Sequence, residues 1–161
     1  MIVPAFFWAF LIAGYYVWRK DHLNAPRFKA RIPDMTVTKE GRVFVGLEIV
    51  NVGPSTSIHT WQASFKRQPD GPTHGLSDRM LLEADDEHDP PANIHGPNLR
   101  RDYRILTTGE TRIGWIAFDA GALSEDETVT LMKTVIIRFT DAFDHHEDIL
   151  TLPAWALASR K

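Results

Sequence analysis

Imidazole and carboxylate side chains lie close together in residues 141–148, whose sequence is DAFDHHED. Within this segment, Asp144, His145 and His146 offer the nitrogen and oxygen ligands that zinc and other divalent cations take in proteins. The segment lies between two predicted strands, which would place the three side chains at the tip of a hairpin. Adjacent histidines point apart on a strand, and no H-E-x-x-H or H-x-H spacing is present. The pattern leaves two interpretations open, a metal site or a solvated acidic turn.

A second acidic tract covers residues 83–91 (EADDEHDPP). Its composition cannot bury enough apolar surface to form core, and it lacks the spaced D-x-[DN]-x-[DN]-G pattern of an EF-hand. The tract predicts a mobile connection between two elements. The functional alternative is a cation-binding or partner-binding loop, in which acids from residues 85–89 would join the histidine-containing loop.

A small cationic cluster is formed by Arg100, Arg101 and Arg104 around Tyr103. Arginine and tyrosine are enriched among the residues that dominate protein interfaces. Arginines on an edge strand also discourage edge-to-edge aggregation, and residues 103–106 are predicted to form a strand. The cluster is therefore predicted either to bind a partner or to protect an edge strand.

The remaining polar residues do not form a recognisable catalytic pattern. Ser55, Ser57 and Ser64 lack the context of a nucleophile elbow, and no P-loop or dinucleotide fingerprint occurs. His59 alternates with Trp61 on an apolar strand face, which predicts a buried, hydrogen-bonded histidine. The chain has no cysteine, which excludes thiol catalysis and cysteine-bound zinc. No cofactor, small-molecule substrate or catalytic residue is indicated, and a net charge of −3 argues against a broadly basic nucleic-acid binder.

Residues 1–18 carry no charged side chain. As a helix, the seventeen residues from Ile2 to Trp18 would span roughly 25 Å, at the short end of what a bilayer core requires. A cleaved signal peptide would need a basic start and small residues at a cleavage site, and a helix lying in the interface would need a charged face. The stretch therefore predicts a single transmembrane helix. The residues predicted to lie at the membrane interface are Tyr15, Tyr16, Trp18, Arg19 and Lys20.

Five cations follow this stretch against one acid, Asp21. By the positive-inside bias, the following domain is predicted to be cytoplasmic, and the orientation would reverse if the true start lay upstream and added basic residues. The same cations either contact anionic lipid headgroups or serve only to set the topology. They are Arg19, Lys20, Arg27, Lys29 and Arg31.

Beyond residue 33 the apolar pattern has a period of two, which is typical of strands. In residues 43–50 the alternate residues are Val43, Val45, Leu47 and Ile49. The pattern divides the chain into a transmembrane anchor (1–18), a basic juxtamembrane connector (19–33) and a β-sandwich domain (34–161). A short helix is predicted within residues 123–133. Strands are predicted at residues 35–37, 43–50, 58–66, 80–83, 103–106, 113–118, 134–140 and 148–152.

The strand over residues 43–51, the turn after it and the next strand with an inward Trp61 resemble immunoglobulin-like sandwiches, including those of small membrane-anchored proteins of unknown function. The resemblance covers roughly residues 35–152 and implies a mainly β fold, an antiparallel immunoglobulin-like β-sandwich preceded by one N-terminal transmembrane helix. There is no cysteine pair beside the tryptophan, so membership of the antibody type is not supported.

Together these patterns predict a membrane-tethered, non-enzymatic interaction or accessory module. Its partners would be the lipid bilayer and another membrane or membrane-associated protein. The alternative is a divalent-metal-binding domain or a metal-dependent hydrolase that uses the Asp- and His-rich loops. A third hypothesis is lipid recognition by the juxtamembrane cations.

Overall fold

The computed structural model describes residues 8, 10–18, 27–82 and 90–150 of the chain. Residues 10–18 are helical. Within the described parts of the chain, no helix is both long and apolar enough to cross a membrane. Residues 1–7 and 9 of the predicted transmembrane stretch, Arg19 and Lys20 after it, and the acids of residues 85–89 lie outside the described residues.

The chain forms two antiparallel sheets. In the first sheet, β1 (Phe28–Arg31) and β2 (Met35–Val37) both pair with β3 (Arg42–Asn51). β3 pairs in turn with β7 (Thr111–Asp119), and β6 (Leu81–Leu82) pairs with the other edge of β7.

The second sheet has four strands. Their order is β5 (Thr73–Leu76), β4 (Ile58–Lys66), β8 (Ile136–Asp141) and β9 (His146–Leu150). The helix α1 (Glu125–Thr134) lies between β7 and β8 in the chain. It overlaps the short helix predicted within residues 123–133 and ends one residue beyond it. A capping box of Ser124 and Glu127 starts α1 by satisfying backbone N–H groups at its N-terminus.

One hydrophobic core lies between the two sheets. The alternating face of β3 predicted from the sequence is confirmed, since Val43, Val45, Leu47 and Ile49 are fully buried. Phe65 of β4 stacks on Phe118 of β7 with 5.3 Å between ring centroids and thereby joins the sheets. The fold is therefore mainly β and compatible with a β-sandwich.

His59 departs from the alternation of β4, and its prediction as a buried histidine is wrong. The pairing of β4 with β8 shifts register between Ile58 and Thr60. This irregularity buries Ile58 and turns His59 outward, because an extra residue in a strand reverses the side on which its neighbours point. Trp61, by contrast, is buried as predicted.

The strand set differs from the prediction in three places. β1 lies within the predicted connector, so the sheet includes residues from 28 onward. β5 was not predicted, because Thr73–Leu76 has no apolar alternation. Residues 103–106 do not form a strand, and only Leu106 makes an isolated bridge, with Thr56.

The outer face of the first sheet is partly covered by residues 90–98. Ile94 packs there against Phe44, Trp115 and Ala117 in a second, smaller cluster. The Trp115 indole N–H donates to the carbonyl of Gly96 at 3.1 Å. This covering segment leads directly into the short 3-10 helix Leu99–Arg101.

Gly114 makes room for this segment on β7. A Cβ at Gly114 would lie 2.5 Å from Leu99 Cδ2 and 2.5 Å from the Pro97 carbonyl oxygen. Trp115 N–H donates to that same carbonyl at 3.0 Å, so the backbone has little freedom to move away. Glycine is required here by close approach, since the Leu99 side chain occupies the space that a larger residue would need.

Gly114→Ala is expected to destabilise the fold by about 1–3 kcal/mol, because the added methyl overpacks the contact with Leu99 and Pro97. Urea titration of the full-length protein in detergent micelles measures the change. Gly75→Ala is the matched control, since a Cβ at Gly75 meets nothing within 4 Å and should change stability by no more than about 0.5 kcal/mol. Equal losses in both variants would contradict the packing role of Gly114.

Candidate interaction surface

The arginine-rich cluster lies on a segment that is pinned at both ends by buried leucines. Leu99 and Leu106 are 1% and 0% exposed. Between them, Arg101, Tyr103, Arg104 and Ile105 are exposed. These four residues and His59 together form the Tyr103 surface. Because the leucines are core residues, the segment between them is held against the end of the sandwich.

Arg112, a buried residue of β7, supports the backbone of this segment. Its side chain projects from β7 and is only 4% exposed. Its guanidinium donates to the carbonyls of Arg104 at 2.9 Å and Ile105 at 3.2 Å, and its Nε lies 3.6 Å from Asp102 Oδ2. A buried charge is tolerated only when it is paired and hydrogen-bonded, and these contacts meet that requirement. Arg112 therefore fixes the backbone that carries the exposed side chains.

Arg104 folds back onto Asp102 from the outside. Its Nε and Nη2 donate to the two carboxylate oxygens of Asp102 at 2.8 and 2.7 Å, the fork geometry of a bidentate pair. The Arg104 side chain nevertheless stays 75% exposed. The guanidinium is thus held in one orientation, with its Nη1 corner not used by Asp102.

The Asp102 carboxylate is stabilised in its charged form. The hydrogen bonds from Arg104 lower the pKa of Asp102 below its ordinary value of 3.8, against the opposing effect of burial. The same contact raises the pKa of Arg104. Asp102 thus stays ionised at neutral pH between two arginines.

A second loop, residues 52–57, is fastened to the same end of the sandwich. Asn51 is fully buried, and its Nδ2 donates to the carbonyls of Pro54 and Leu106, each at 2.8 Å. Thr56 and Leu106 exchange backbone hydrogen bonds at 3.2 and 2.6 Å. These contacts join the two loops, so the Tyr103 surface is built on a fixed base.

The histidine turned outward by the irregularity in β4 contributes to this surface. The ring of His59 stacks on Tyr103 with 6.4 Å between centroids. Ser57 Oγ lies 2.9 Å from His59 Nε2. His59 therefore supports the exposed tyrosine across the boundary between the two sheets. The alternation of β4 gave no sign of this role, because only the register shift turns the residue outward.

The four residues predicted to bind a partner differ in exposure. Arg101, Tyr103 and Arg104 are exposed, whereas the Arg100 side chain is only 13% exposed and lies 3.4 Å from Asp78. This contact links the 3-10 helix Leu99–Arg101 to Asp78. The exposed residues border an open depression of about 680 Å³, whose lining comprises Pro97, Asn98, Arg101, Asp102, Tyr103 and Arg104.

The predicted metal ligands lie on the hairpin between β8 and β9, as expected for their position. Asp141 is buried, and its Oδ1 accepts hydrogen bonds from the backbone of Phe143 and His145 at 2.8 and 3.0 Å. Asp144 adopts a positive φ of 61°, which an aspartate in a turn tolerates. His146 Nδ1 lies 2.9 Å from the Thr140 hydroxyl.

A three-ligand metal site is not formed by these residues. Over the described parts of the chain, no three His, Asp or Glu side chains are close enough together to hold a metal ion. The acids of residues 85–89 lie outside the described residues, so the metal hypothesis that includes them stays a prediction.

The predicted membrane-interface residues are described only in part. Tyr15, Tyr16 and Trp18 lie on the N-terminal helical segment and are exposed. Of the cations that follow, Arg31 pairs with Glu48 at 2.6 Å across β1 and β3.

Asp102→Asn is expected to destabilise the protein by about 3 kcal/mol at pH 7, because it removes one of the two carboxylates beside the buried Arg112 and leaves only Glu110, at 3.7 Å. A carboxylate whose pKa is lower in the folded state than in the unfolded state stabilises the fold at any pH above its unfolded-state pKa. This stabilisation is lost as the pH falls through the folded-state pKa. The difference in free energy of unfolding between the wild type and Asp102→Asn should therefore decrease below about pH 3.8. Urea titrations between pH 7 and pH 3 measure it.

The control for this variant is Asp148→Asn, which breaks the bidentate but exposed pair with Arg138. Exposed ion pairs contribute little to stability, so Asp148→Asn should lower the free energy of unfolding at pH 7 by no more than about 1 kcal/mol. If the free energy of unfolding of Asp102→Asn differs from that of the wild type by the same amount at every pH, the role given to the Asp102 carboxylate is contradicted.

No protein-family model and no curated protein matches the chain. Among solved structures, it is similar to a β-glucosidase from Kluyveromyces marxianus, with 12% identity and a TM-score of 0.35 over 80% of this chain and 14% of the other. It is also similar to "a putative late embryogenesis abundant (LEA) protein", with 14% identity and a TM-score of 0.38 over 92% and 87% of the two chains. A Northeast Structural Genomics Consortium target gives 10% identity and a TM-score of 0.34 over 84% and 91%. The chain thus spans only 14% of the glucosidase, and no function is carried over from these likenesses.

Proposed function

We propose that this chain is a membrane-tethered, non-enzymatic interaction module with an immunoglobulin-like sandwich. In this proposal the N-terminal stretch holds the domain at a bilayer, and the Tyr103 surface docks a membrane or membrane-associated protein. The observation that carries the proposal is the Tyr103 surface itself, in which exposed aromatic, apolar and arginine side chains stand on a base fixed by buried polar contacts.

The strand order supports the immunoglobulin-like part of the proposal. β1-β3-β7-β6 corresponds to the A-B-E-D order of a constant-type immunoglobulin sheet, and β4-β8-β9 corresponds to C-F-G. β5 is then an additional strand beside C. Trp61 on β4 takes the position of the buried strand-C tryptophan, and it packs on Phe139 of β8 at 5.5 Å between centroids.

The N-terminal helical segment supports the tether. All of its described side chains are exposed, including Phe10 at 80% and Tyr16 at 71%. A helix that is apolar all round is normally surrounded by protein core or lipid. The nine helical residues of 10–18 are shorter than a bilayer requires, so the proposal includes the uncharged residues before them. The cations after residue 18 favour a cytoplasmic domain.

The composition and rigidity of the Tyr103 surface support docking. Tyrosine and arginine recur among interface residues whose truncation is most costly. Tyr103 and Ile105 are 59% and 65% exposed, yet the backbone beneath them is held by Arg112 and Asn51. A surface ordered before binding loses less conformational entropy when a partner docks.

We expect the full-length protein to sediment with membranes and to remain there after alkaline carbonate extraction. A variant lacking residues 1–18 should be found in the supernatant, because the uncharged stretch supplies the apolar contact with lipid. Immunoblotting of both fractions measures the distribution. Release of the full-length protein by carbonate would contradict a membrane-spanning tether.

A photoreactive amino acid at position 103 should crosslink to a partner in intact membranes. The same amino acid at position 129 is the matched control, since Val129 is 45% exposed on α1. Thr134 at the end of that helix contacts Lys66, at the other end of β4 from His59. We expect adducts from position 103 but not from 129, and fewer adducts when residues 1–18 are deleted. Identical adducts from both positions would contradict docking through the Tyr103 surface.

A further inference from the structure

Strand β5 is an open edge of the second sheet. It pairs with β4 along all four of its residues and comes first in the strand order of that sheet. Over the described parts of the chain, no strand pairs with its other side. Thr73, His74 and Gly75 are exposed there. An edge strand of this kind presents backbone N–H and C=O groups that can pair with a strand of another molecule.

The other described sheet edges carry features that discourage such pairing. β1 bears Lys29 and Arg31, and β9 bears Glu147 and Asp148. β6 has only two residues, and all three residues of β2 are partly buried. β5 has neither charge nor proline, since Pro72 lies just before its first residue. Because charges, prolines and very short strands are the usual protections of an edge, β5 is the described edge most suited to pairing between molecules.

The pattern of β5 allows it to pair with a second copy of itself. Two copies related by a two-fold axis perpendicular to the sheet would pair as antiparallel strands, with the core faces of both sheets on the same side. With the axis at Gly75, the two glycines lie opposite each other, and His74 lies opposite Leu76 of the second copy. A Cβ at Gly75 meets nothing within 4 Å, so the backbone is open to approach.

His74 and Leu76 would bring apolar surface to this pairing on the core side of the sheet. His74 lies opposite Phe65 of β4 and stacks on its ring, with 5.6 Å between ring centroids. Leu76 is partly buried and packs against the core. Contact of each imidazole with the leucine of the other copy would extend this packing across the two-fold axis. Aromatic and aliphatic cross-strand pairs stabilise antiparallel sheets.

The charges at the two ends of β5 are also complementary. Asp70 lies three residues before the strand and Arg79 three residues after it, and both are exposed. In an antiparallel pair the start of each strand lies beside the end of the other. Asp70 of one copy would therefore approach Arg79 of the second, and no like charges would meet within the uncharged strand itself. Complementary charge of this kind favours the antiparallel arrangement.

We infer that two copies of this chain associate through β5 and join their second sheets into one sheet of eight strands, four from each copy. The contact is isologous and each copy has one β5, so association ends at the dimer. The paired strands are short, so the dissociation constant should be on the order of 10 μM. The inference goes beyond the proposed function, because β5 pairs with residues 63–66 of β4 and leaves His59, at the other end of β4, free to support the Tyr103 surface.

The inference is tested by sedimentation equilibrium of the full-length protein in detergent micelles over a wide range of concentration. Gly75→Glu and Gly75→Lys should each weaken self-association by at least about tenfold, because like charges then lie opposite each other at the axis. Gly75 has open space around it and no positive φ, so both variants should fold and give an unchanged circular dichroism spectrum. An equal mixture of the two variants should associate again, since opposite charges then meet.

Ala142→Lys is the matched control. Ala142 is exposed, and its backbone N–H donates to Ser57 at 2.9 Å, beyond the end of β4 that is remote from β5. This variant should associate like the wild type. A wild type that stays monomeric throughout, or self-association that persists in both Gly75 variants, would overturn the inference. Persistence would locate the contact elsewhere, for example in the N-terminal stretch.

Disulfide trapping gives a second test, because the chain has no cysteine and an introduced thiol is the only one present. Gly75→Cys should form covalent dimers on mild oxidation, whereas Ala142→Cys should not, since only position 75 lies opposite itself at the axis. Equal dimer yields from both positions would contradict pairing through β5. A cysteine at position 75 that fails to react with maleimide would show that the chain covers its own edge. Crosslinking of that cysteine to a different membrane protein, without dimers, would overturn the inference in favour of another partner.

Discussion

A buried arginine determines how one end of this sandwich is built. Arg112 occupies an inward position on β7, close to where the core ends, and its charge must be met within the protein. The chain meets it with two backbone carbonyls and Asp102, from residues 102–105, and with Glu110, whose Oε1 lies 3.7 Å from Arg112 Nη2. The path of that segment, and therefore the positions of the side chains that project from it, follows from the need to satisfy one guanidinium.

Buried ion pairs are weak evidence of high stability, because desolvation offsets most of the attraction between the charges. Their clearer effect is to favour one arrangement over others, since any alternative path would leave a charge without a partner. The amide of Asn51 acts in the same way on the carbonyl of Leu106. Polar contacts thus provide the order at this end of the molecule, whereas the apolar core provides most of the cohesion between the sheets.

Much of the fold could be predicted because apolar residues recur at every second position over most of β3, β4 and β8. The alternation could not reveal β1, whose outward residues Lys29 and Arg31 resemble a linker, or β5, whose residues are largely exposed. It failed at His59 because a register shift depends on the neighbouring strand and not on local sequence. The candidate site was found as a set of arginines and a tyrosine, but its organisation was not. Arg100 turns inward because of its contact with Asp78, which is distant in the chain. The support comes from Arg112, which is buried within β7 and does not stand out in the sequence.

The position of β1 would have a mechanical consequence if the domain is tethered as proposed. β1 is the first strand after the N-terminal stretch, and it is attached to β3 by four residue pairs from Phe28–Asn51 to Arg31–Glu48. Any tension between a bilayer and a docked partner would enter the domain through these pairs before reaching the central strands. Phe28 also meets Phe139 edge-on at 5.0 Å, so the same short strand passes load to the second sheet. The strength of the molecule under force would then be set by four residues at its edge and not by the large core behind them.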